Sequence, residues 1–257
     1  MLFFSFKLFA QQPKQPVLFC YGDFYPEQVK GYTYVIIEGT HFSKADVKTL
    51  KENNKYVLGY ISLGEVNEAA IHYEKLEGKT LGENKLWNSH ILNLRDEITQ
   101  ETLLDLFWLN KQEKGLDGMF LDNIDNYTKY GPTPENKFEL VIFLQKVKQK
   151  FPDIFLMQNA GLLIAEDTHN YIDAIAIESV ASNYNFDKNK YRLRAKKEFK
   201  EQLDELETIH TNYQLPIIFI EYAGTKKMKK SILKRIKQKN WPYFIGQIDL
   251  QNLPTFK

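Results

Sequence analysis

Acids and amides recur at one kind of place in this sequence, directly after short apolar, β-forming runs. Asp23 follows Val17–Tyr21 (VLFCY), Glu38 closes Thr33–Glu38 (TYVIIE), and Glu65 follows Tyr56–Ser62 (YVLGYIS). Asp122 closes Asp117–Asp122 (DGMFLD), with Asn123 and Asp125 just beyond it. Gln158 and Asn159 end Ile154–Gln158 (IFLMQ) and its next residue, Glu178 ends Asp173–Glu178 (DAIAIE), and Glu221 ends Pro216–Glu221 (PIIFIE). Gln247 and Asp249 complete the series after Tyr243–Gln247 (YFIGQ). No histidine pair or lysine occupies such a position, which argues against imidazole-held metal and against Schiff-base chemistry. No Gly-x-Ser-x-Gly elbow is present for a serine nucleophile. What remains is chemistry run by carboxylates. Cleavage of a glycosidic bond needs two of them, one to attack or to position water and one to protonate the departing oxygen. Two acids in one low-dielectric mouth push their pKa values apart, which supplies a charged and a protonated partner at one pH.

Each acid also has a plainer role open to it. Asp23 and Asp249 fit helix caps, and Glu38 and Glu221 fit hydrogen-bond anchors. Asp117, in Gly115-Leu116-Asp117-Gly118, fits a turn into its strand. Asp122, Asn123 and Asp125 together offer oxygens to a hard cation, but three residues fall short of a full ligand set, and no metal or other cofactor is expected. The aromatics belong mainly to the core; Tyr60, Trp87 and Tyr127 are placed to stack on sugar faces instead.

The elements that must position these groups follow from the pattern. Near-continuous apolar runs, without strict alternation, are the mark of strands buried on both faces. The segments between them read as helices. Ser43 with Asp46 forms a capping box, and Thr133-Pro134 reads as an N-cap with proline at the first position. Leu140, Leu144, Val147 and Phe151 then share one helical face, as do Phe199, Leu203 and Leu206. Eight such strands alternating with helices predict a single (β/α)8 TIM barrel over 13–257, with the strand ends forming one mouth. An open doubly wound sheet is the rival, but no Gly-x-Gly-x-x-Gly or Walker loop follows a strand. Residues 63 to 116 exceed one helix and hold His72, Tyr73, Trp87, His90 and the run Ile91–Leu94, so a long insertion is expected after the third strand.

Bulk properties exclude several classes. The net charge of +1 gives no field for nucleic acid, and the single cysteine, Cys20, excludes internal disulfides and cysteine-based metal centres. The lysine run from Lys226 to Lys239 alternates with Met228, Ile232 and Ile236, as the solvated face of a last helix would. Met1–Ala10 (MLFFSFKLFA) is too short to span a bilayer, and residues 1–12 read as the remnant of a secretory signal or as a disordered N-terminus. That reading predicts a secreted or periplasmic protein, and a cytoplasmic one if the segment is not a signal.

Four motifs resemble the endo-α-1,4-polygalactosaminidase family (glycoside hydrolase family 114). They are Tyr60-Ile61-Ser62-Leu63-Gly64-Glu65, Gly115-Leu116-Asp117-Gly118-Met119-Phe120-Leu121-Asp122-Asn123-Ile124-Asp125, Gln158-Asn159-Ala160-Gly161 and Ile177-Glu178. The resemblance runs from about Tyr21 to Gln247; the second motif is the most specific and Gln-Asn-x-Gly the least. It departs from the family after Gly64-Glu65, where Val66-Asn67-Glu68-Ala69-Ala70 lacks an arginine that often follows. The resemblance implies a TIM barrel and endo-hydrolysis of α-1,4-linked galactosamine polymers with retention. It implies Asp122 as nucleophile and Glu178 as general acid/base, with carboxyl groups about 5–5.5 Å apart. Tyr60, Glu65, Asn123, Asp125, Gln158, Asn159 and Glu221, with Asp23 and Glu38, are then expected to bind substrate. An acidic mouth suits a cationic amino-sugar polymer, taken up by a monomer. Two alternatives stay open: a carbohydrate-binding protein on a hydrolase-like barrel, and a hydrolase of another glycosidic bond.

Overall fold

Eight parallel strands follow one another around a ring in chain order, in a computed structural model that describes residues 16–256. They are β1 (Val17–Cys20), β2 (Tyr34–Ile37), β3 (Tyr56–Ser62), β4 (Gly118–Asp122), β5 (Phe155–Asn159), β6 (Ala174–Glu178), β7 (Ile217–Tyr222) and β8 (Tyr243–Gly246). Every neighbouring pair is parallel, and a bridge from Pro16 to Tyr243 joins the last strand to the first. This is the (β/α)8 barrel that the strand pattern predicts. The reading of Met1–Ala10 lies outside the described residues.

Strand side chains alternate between the barrel axis and the helices. Met119 and Leu121 pack in an outer core with Leu156, Ile175, Ile217 and Phe219, whereas Phe120 packs in an inner one with Phe19, Leu58, Met157, Ala176 and Phe244. The interior is layered along the axis. Tyr34, Tyr56 and Phe155 stack at the end where the strands begin, and Phe19, Phe120 and Phe244 meet edge to face in the middle. The next inward positions, at the strands' C-terminal ends, belong to the site.

Five longer helices cover the outside: α1 (Lys44–Asn53), α2 (Glu97–Trp108), α3 (Lys137–Lys150), α4 (Lys196–Tyr213) and α5 (Lys226–Ile236). Ser43 caps α1 with Asp46 in a reciprocal capping box, as its sequence predicts. The start of α3 differs. Thr133 and Pro134 open a 3-10 turn, Pro134–Asn136, and the Thr133 hydroxyl donates to the Asn126 carbonyl rather than capping the helix. The lysine-rich α5 buries Ile232 and Ile236 and exposes most of its lysines, whereas Arg235 turns in to donate to the Arg194 carbonyl.

Two segments rise beyond the barrel. Between β3 and β4 the chain forms a small antiparallel sheet from Glu65–Asn67, Glu83–Asn84 and Ser89–Ile91 before entering α2. After β6 it forms a hairpin, Ser182–Asn185 paired with Lys190–Leu193. We call these the first and second arms.

Candidate active site

The inward parity of the strands brings Tyr60, Asp122, Asn159, Glu178 and Tyr222 to one mouth. Asp122 continues the inward row of Phe120, Asn159 that of Met157, Glu178 that of Ala176, and Tyr222 that of Ile220. Asn159 joins the two carboxylates: its Nδ2 donates to Asp122 Oδ1 at 2.8 Å and to Glu178 Oε1 at 2.9 Å. A flipped amide would set an oxygen against two acceptors, so the carboxyls fix its orientation and leave Asn159 Oδ1, which is buried, without a hydrogen bond. An amide NH2 directs its two N–H bonds about 120° apart, so straight bonds hold their acceptors roughly 5 Å from each other.

Each acid has a tyrosine on its other oxygen. Tyr60 Oη donates to Asp122 Oδ2 at 2.8 Å, and Tyr222 Oη donates to Glu178 Oε2 at 2.6 Å. Burial first, then the neighbouring carboxylates, raise both phenols well above their ordinary range, so they act as protonated donors. Tyr21, one step inward past Phe19, lies 4.8 Å from Tyr60 ring to ring, and burial and Asp122 raise its hydroxyl likewise. Burial also raises Glu178, an effect larger than the opposing hydrogen bonds from Tyr222 and Asn159 and reinforced by the charges of Asp122 and Asp125. A carboxyl so placed holds its proton to higher pH, the property a general acid needs.

The backbone turns sharply after each of the three central residues. Asn123, Ala160 and Ser179 follow Asp122, Asn159 and Glu178, and all three take left-handed conformations, with φ of 58°, 54° and 59°. Asparagine tolerates this region, whereas alanine and serine are strained there. Two glycines let the loops close on this turn. A Cβ on Gly64 would sit 2.5 Å from the Asn123 carbonyl oxygen, and one on Gly161 would sit 2.5 Å from Ile124 Cγ2. These close approaches give Tyr-x-Ser-x-Gly-Glu and Gln-Asn-x-Gly a physical reason.

The remaining sequence candidates separate by position. Asp125 is exposed at the rim, with Oδ1 accepting from Gly161 N at 2.9 Å. Asn123 accepts from Ser62 Oγ at 2.7 Å, and Glu38, half-buried at the end of β2, caps a 3-10 turn through Thr40. Asp23 is exposed in the loop after β1 and caps no helix.

Glu65, Gln158 and Glu221 do not reach the mouth, because they are buried among groups of their own. Glu65 accepts from Asn84, Ser89 and Asn126 and ties the first arm to the loop after β4. Glu221 is fully buried; it accepts from Ala181 N at 2.8 Å, from Ser182 N at 2.7 Å and from Ser182 Oγ at 2.6 Å. Gln158 points outward and donates to the Ala160 carbonyl at 2.9 Å. Tyr127 is core, donating to the Leu63 carbonyl, and Asp117 serves the far end of β4, accepting from Val57 N and pairing with Lys51. Among the described residues no group of three His, Cys, Asp or Glu side chains is arranged to hold a metal ion.

A bridged carboxyl pair at the ends of β4 and β6 is an arrangement for glycosidic chemistry, and the chain's likenesses agree. The model of glycoside-hydrolase family GH114 matches residues 11–253. The chain belongs to that family. It is a glycoside hydrolase, and its barrel resembles several solved structures. The glycoside hydrolase domain of PelA from Pseudomonas aeruginosa superposes with a TM-score of 0.81 at 22% identity, over 93% of this chain and 97% of that one. Ega3 from Aspergillus fumigatus, solved in complex with galactosamine, gives a TM-score of 0.72 at 16% identity over 95% of each chain. The maltogenic α-amylase AmyB from Thermotoga neapolitana gives 0.56 at 11% identity, over 95% of this chain and 70% of that one. At such identities these likenesses speak for the barrel alone. No curated protein sequence matches the chain.

Within this GH114 barrel, Tyr21 and Tyr222 are two further residues of the mouth that the sequence does not mark out. Tyrosine inside an apolar run looks like core; only counting inward in twos from Phe19 and Ile220 points both hydroxyls at the mouth.

Proposed function

We propose that this hydrolase cleaves internal α-1,4 linkages of a galactosamine-containing polysaccharide by double displacement with retention. The observation that carries the mechanism is the single Asn159 amide shared by Asp122 and Glu178, whose ideal geometry matches the about 5–5.5 Å separation of retaining enzymes. Asp122 attacks the anomeric carbon as the glycosidic C–O bond breaks, and the Glu178 proton passes to the departing oxygen. Glu178, now charged, takes a proton from water; that water's oxygen attacks the anomeric carbon and releases Asp122. Tyr60 and Asn159 hold Asp122 in place for both steps, and Tyr222 holds Glu178.

The substrate class rests on family membership, on the galactosamine bound to Ega3, and on the charge of the mouth. A free amine on each sugar is cationic, and Glu38, Asp122, Asp125 and Glu178 lie on or near the path such a chain would take. Glu38, Asn123 and Asp125 are the rim residues best placed to meet it. A polymer is met outside the cytoplasm, which fits a secreted or periplasmic enzyme. No helix among the described residues is long and apolar enough to cross a membrane.

The test is release of reducing ends from a partly deacetylated α-1,4-galactosaminoglycan. Asp122→Asn and Glu178→Gln each lower kcat by about 10³-fold or more, since each removes a group that the other cannot replace. Full activity in either variant would exclude the mechanism. Absence of product with the native chain, alongside cleavage of a different glycan, would exclude the substrate.

A further inference from the structure

The two arms leave β3 and β6, the strands that flank β4 and β5, and their tips meet. Their contact therefore links the two sides of the strand ends that carry Asp122 and Asn159. Trp87, in the turn of the first arm, meets Phe186, in the turn of the second, with ring centroids 5.4 Å apart and planes at 88°. The row continues along the second arm: Phe186 to Tyr184 at 5.0 Å, then Tyr184 to Tyr191 at 4.7 Å, both edge to face. Tyr191 reaches the loop after β8, where its hydroxyl accepts from Ile248 N. Four aromatic rings thus run from the first arm round to the far side of the mouth.

Trp87 and Phe186 stay 54% and 50% exposed although they touch. An edge-to-face pair closes one face of one ring and leaves the others open. Both turns are held from below by buried acids. Glu65 takes hydrogen bonds from Asn84 and Ser89, the residues on either side of the Trp87 turn, and Glu221 takes them from Ser182, where the second arm begins. Two buried carboxylates spent on fixing exposed aromatic tips imply a purpose for those tips beyond covering the core.

We propose that Trp87 and Phe186 form a sugar-stacking subsite away from the cleaved bond, which takes one pyranose ring of the polysaccharide. A galacto-configured ring fits, because its axial O4 leaves a continuous apolar C–H face on one side. A 2-ammonium group beside the indole adds a cation–π attraction. The class of sugar rests on the proposed function above; the subsite itself rests on the arm geometry. The competing role is mechanical, in which the rings only clasp one arm to the other.

Binding in the inactive Asp122→Asn background separates these roles. Galactosamine oligomers of increasing length are titrated while tryptophan emission is followed, and calorimetry gives the affinity. Long oligomers change the emission, and Trp87→Phe abolishes that change while Trp108 and Trp241 remain. Trp87→Ala and Phe186→Ala weaken binding of long oligomers about tenfold and of the shortest bound oligomer far less. Equal affinity in Trp87→Ala at every length, or an equal loss at every length together with a lowered Tm, overturns the subsite in favour of a clasp. If galactosamine oligomers are neither cleaved nor bound, neutral galacto-oligosaccharides are titrated in the same way. A Trp87-dependent signal with them upholds the subsite while the proposed substrate fails, and no signal with either series overturns the subsite.

Discussion

Asp122 and Glu178 hang from the two hydrogens of one amide, that of Asn159 at the end of β5. The strand between theirs therefore sets the spacing of the pair. Each acid then has its second oxygen fixed by a phenol from a strand on the opposite side, Tyr60 on β3 and Tyr222 on β7. Side chains from three strands thus determine the distance and orientation of two carboxyls carried on two others, with no loop side chain involved.

Removing the shared amide should cost turnover more than binding. Asn159→Ala leaves both acids present but frees their separation, and kcat falls about 10²-fold with a smaller change in KM. Asn159→Asp falls further, because a third carboxyl between the first two adds repulsion where a donor stood. Steady-state reducing-end assays measure both, and NMR of the first-formed product shows the anomeric configuration retained in the native enzyme. An Asn159→Ala variant with native kcat would show that the amide does not set the geometry.

Tyr222→Phe should move the pH profile upward. The hydrogen bond from Tyr222 lowers Glu178 against the larger raising effect of burial, so losing it raises Glu178 further. The protonated form needed for the first step then persists to higher pH, and the basic limb of kcat/KM shifts up. The charged form needed for the second step appears later, so kcat at acid pH drops. Profiles of native and variant enzyme check this; a basic limb that stays in place or moves down counts against Glu178 as the acid.

How much of this was legible in the sequence depends on what each feature's signal was. The barrel strands could be read because strands buried on both faces appear as apolar runs; β3 was bounded correctly and the other seven to within a residue at either end. That Asp122 and Glu178 share one mouth could be read because each closes such a run, although closing a run does not suffice, since Glu221 closes one too. Which way a strand-end residue points needed one more step, the count in twos from an inward neighbour. Glu221 follows Ile217 and Phe219, both in the outer core, so it turns outward to brace the second arm. Gln158 follows Leu156 in the same way. Glu65 lies past the end of β3, where the chain has already turned into the first arm. The meeting of Trp87 and Phe186 left no trace in the sequence, because contacts between loop tips have no period.

Glu178→Gln should make the protein more stable at neutral pH while abolishing its activity. The folded-state pKa of Glu178 lies above the ordinary value of 4.5, chiefly through burial. Between those two values the folded chain binds the proton and the unfolded chain does not, so stability falls as pH rises through that window. Below 4.5 both states are protonated and the group costs nothing; above the folded value the full cost of a buried charge remains. Glutamine is neutral throughout. Its oxygen accepts from Asn159 and its NH2 donates to Tyr222 Oη, which leaves the Tyr222 hydroxyl hydrogen without its former acceptor, a smaller cost than that of the buried charge it replaces. The expected Tm gain is about 2–4 °C for each 1 kcal/mol recovered in a chain of this size, present at neutral pH and shrinking toward pH 4.5. Calorimetric scans of native and variant protein across that range measure it. A Tm difference that does not change with pH would mean that Glu178 carries no raised pKa in the folded state.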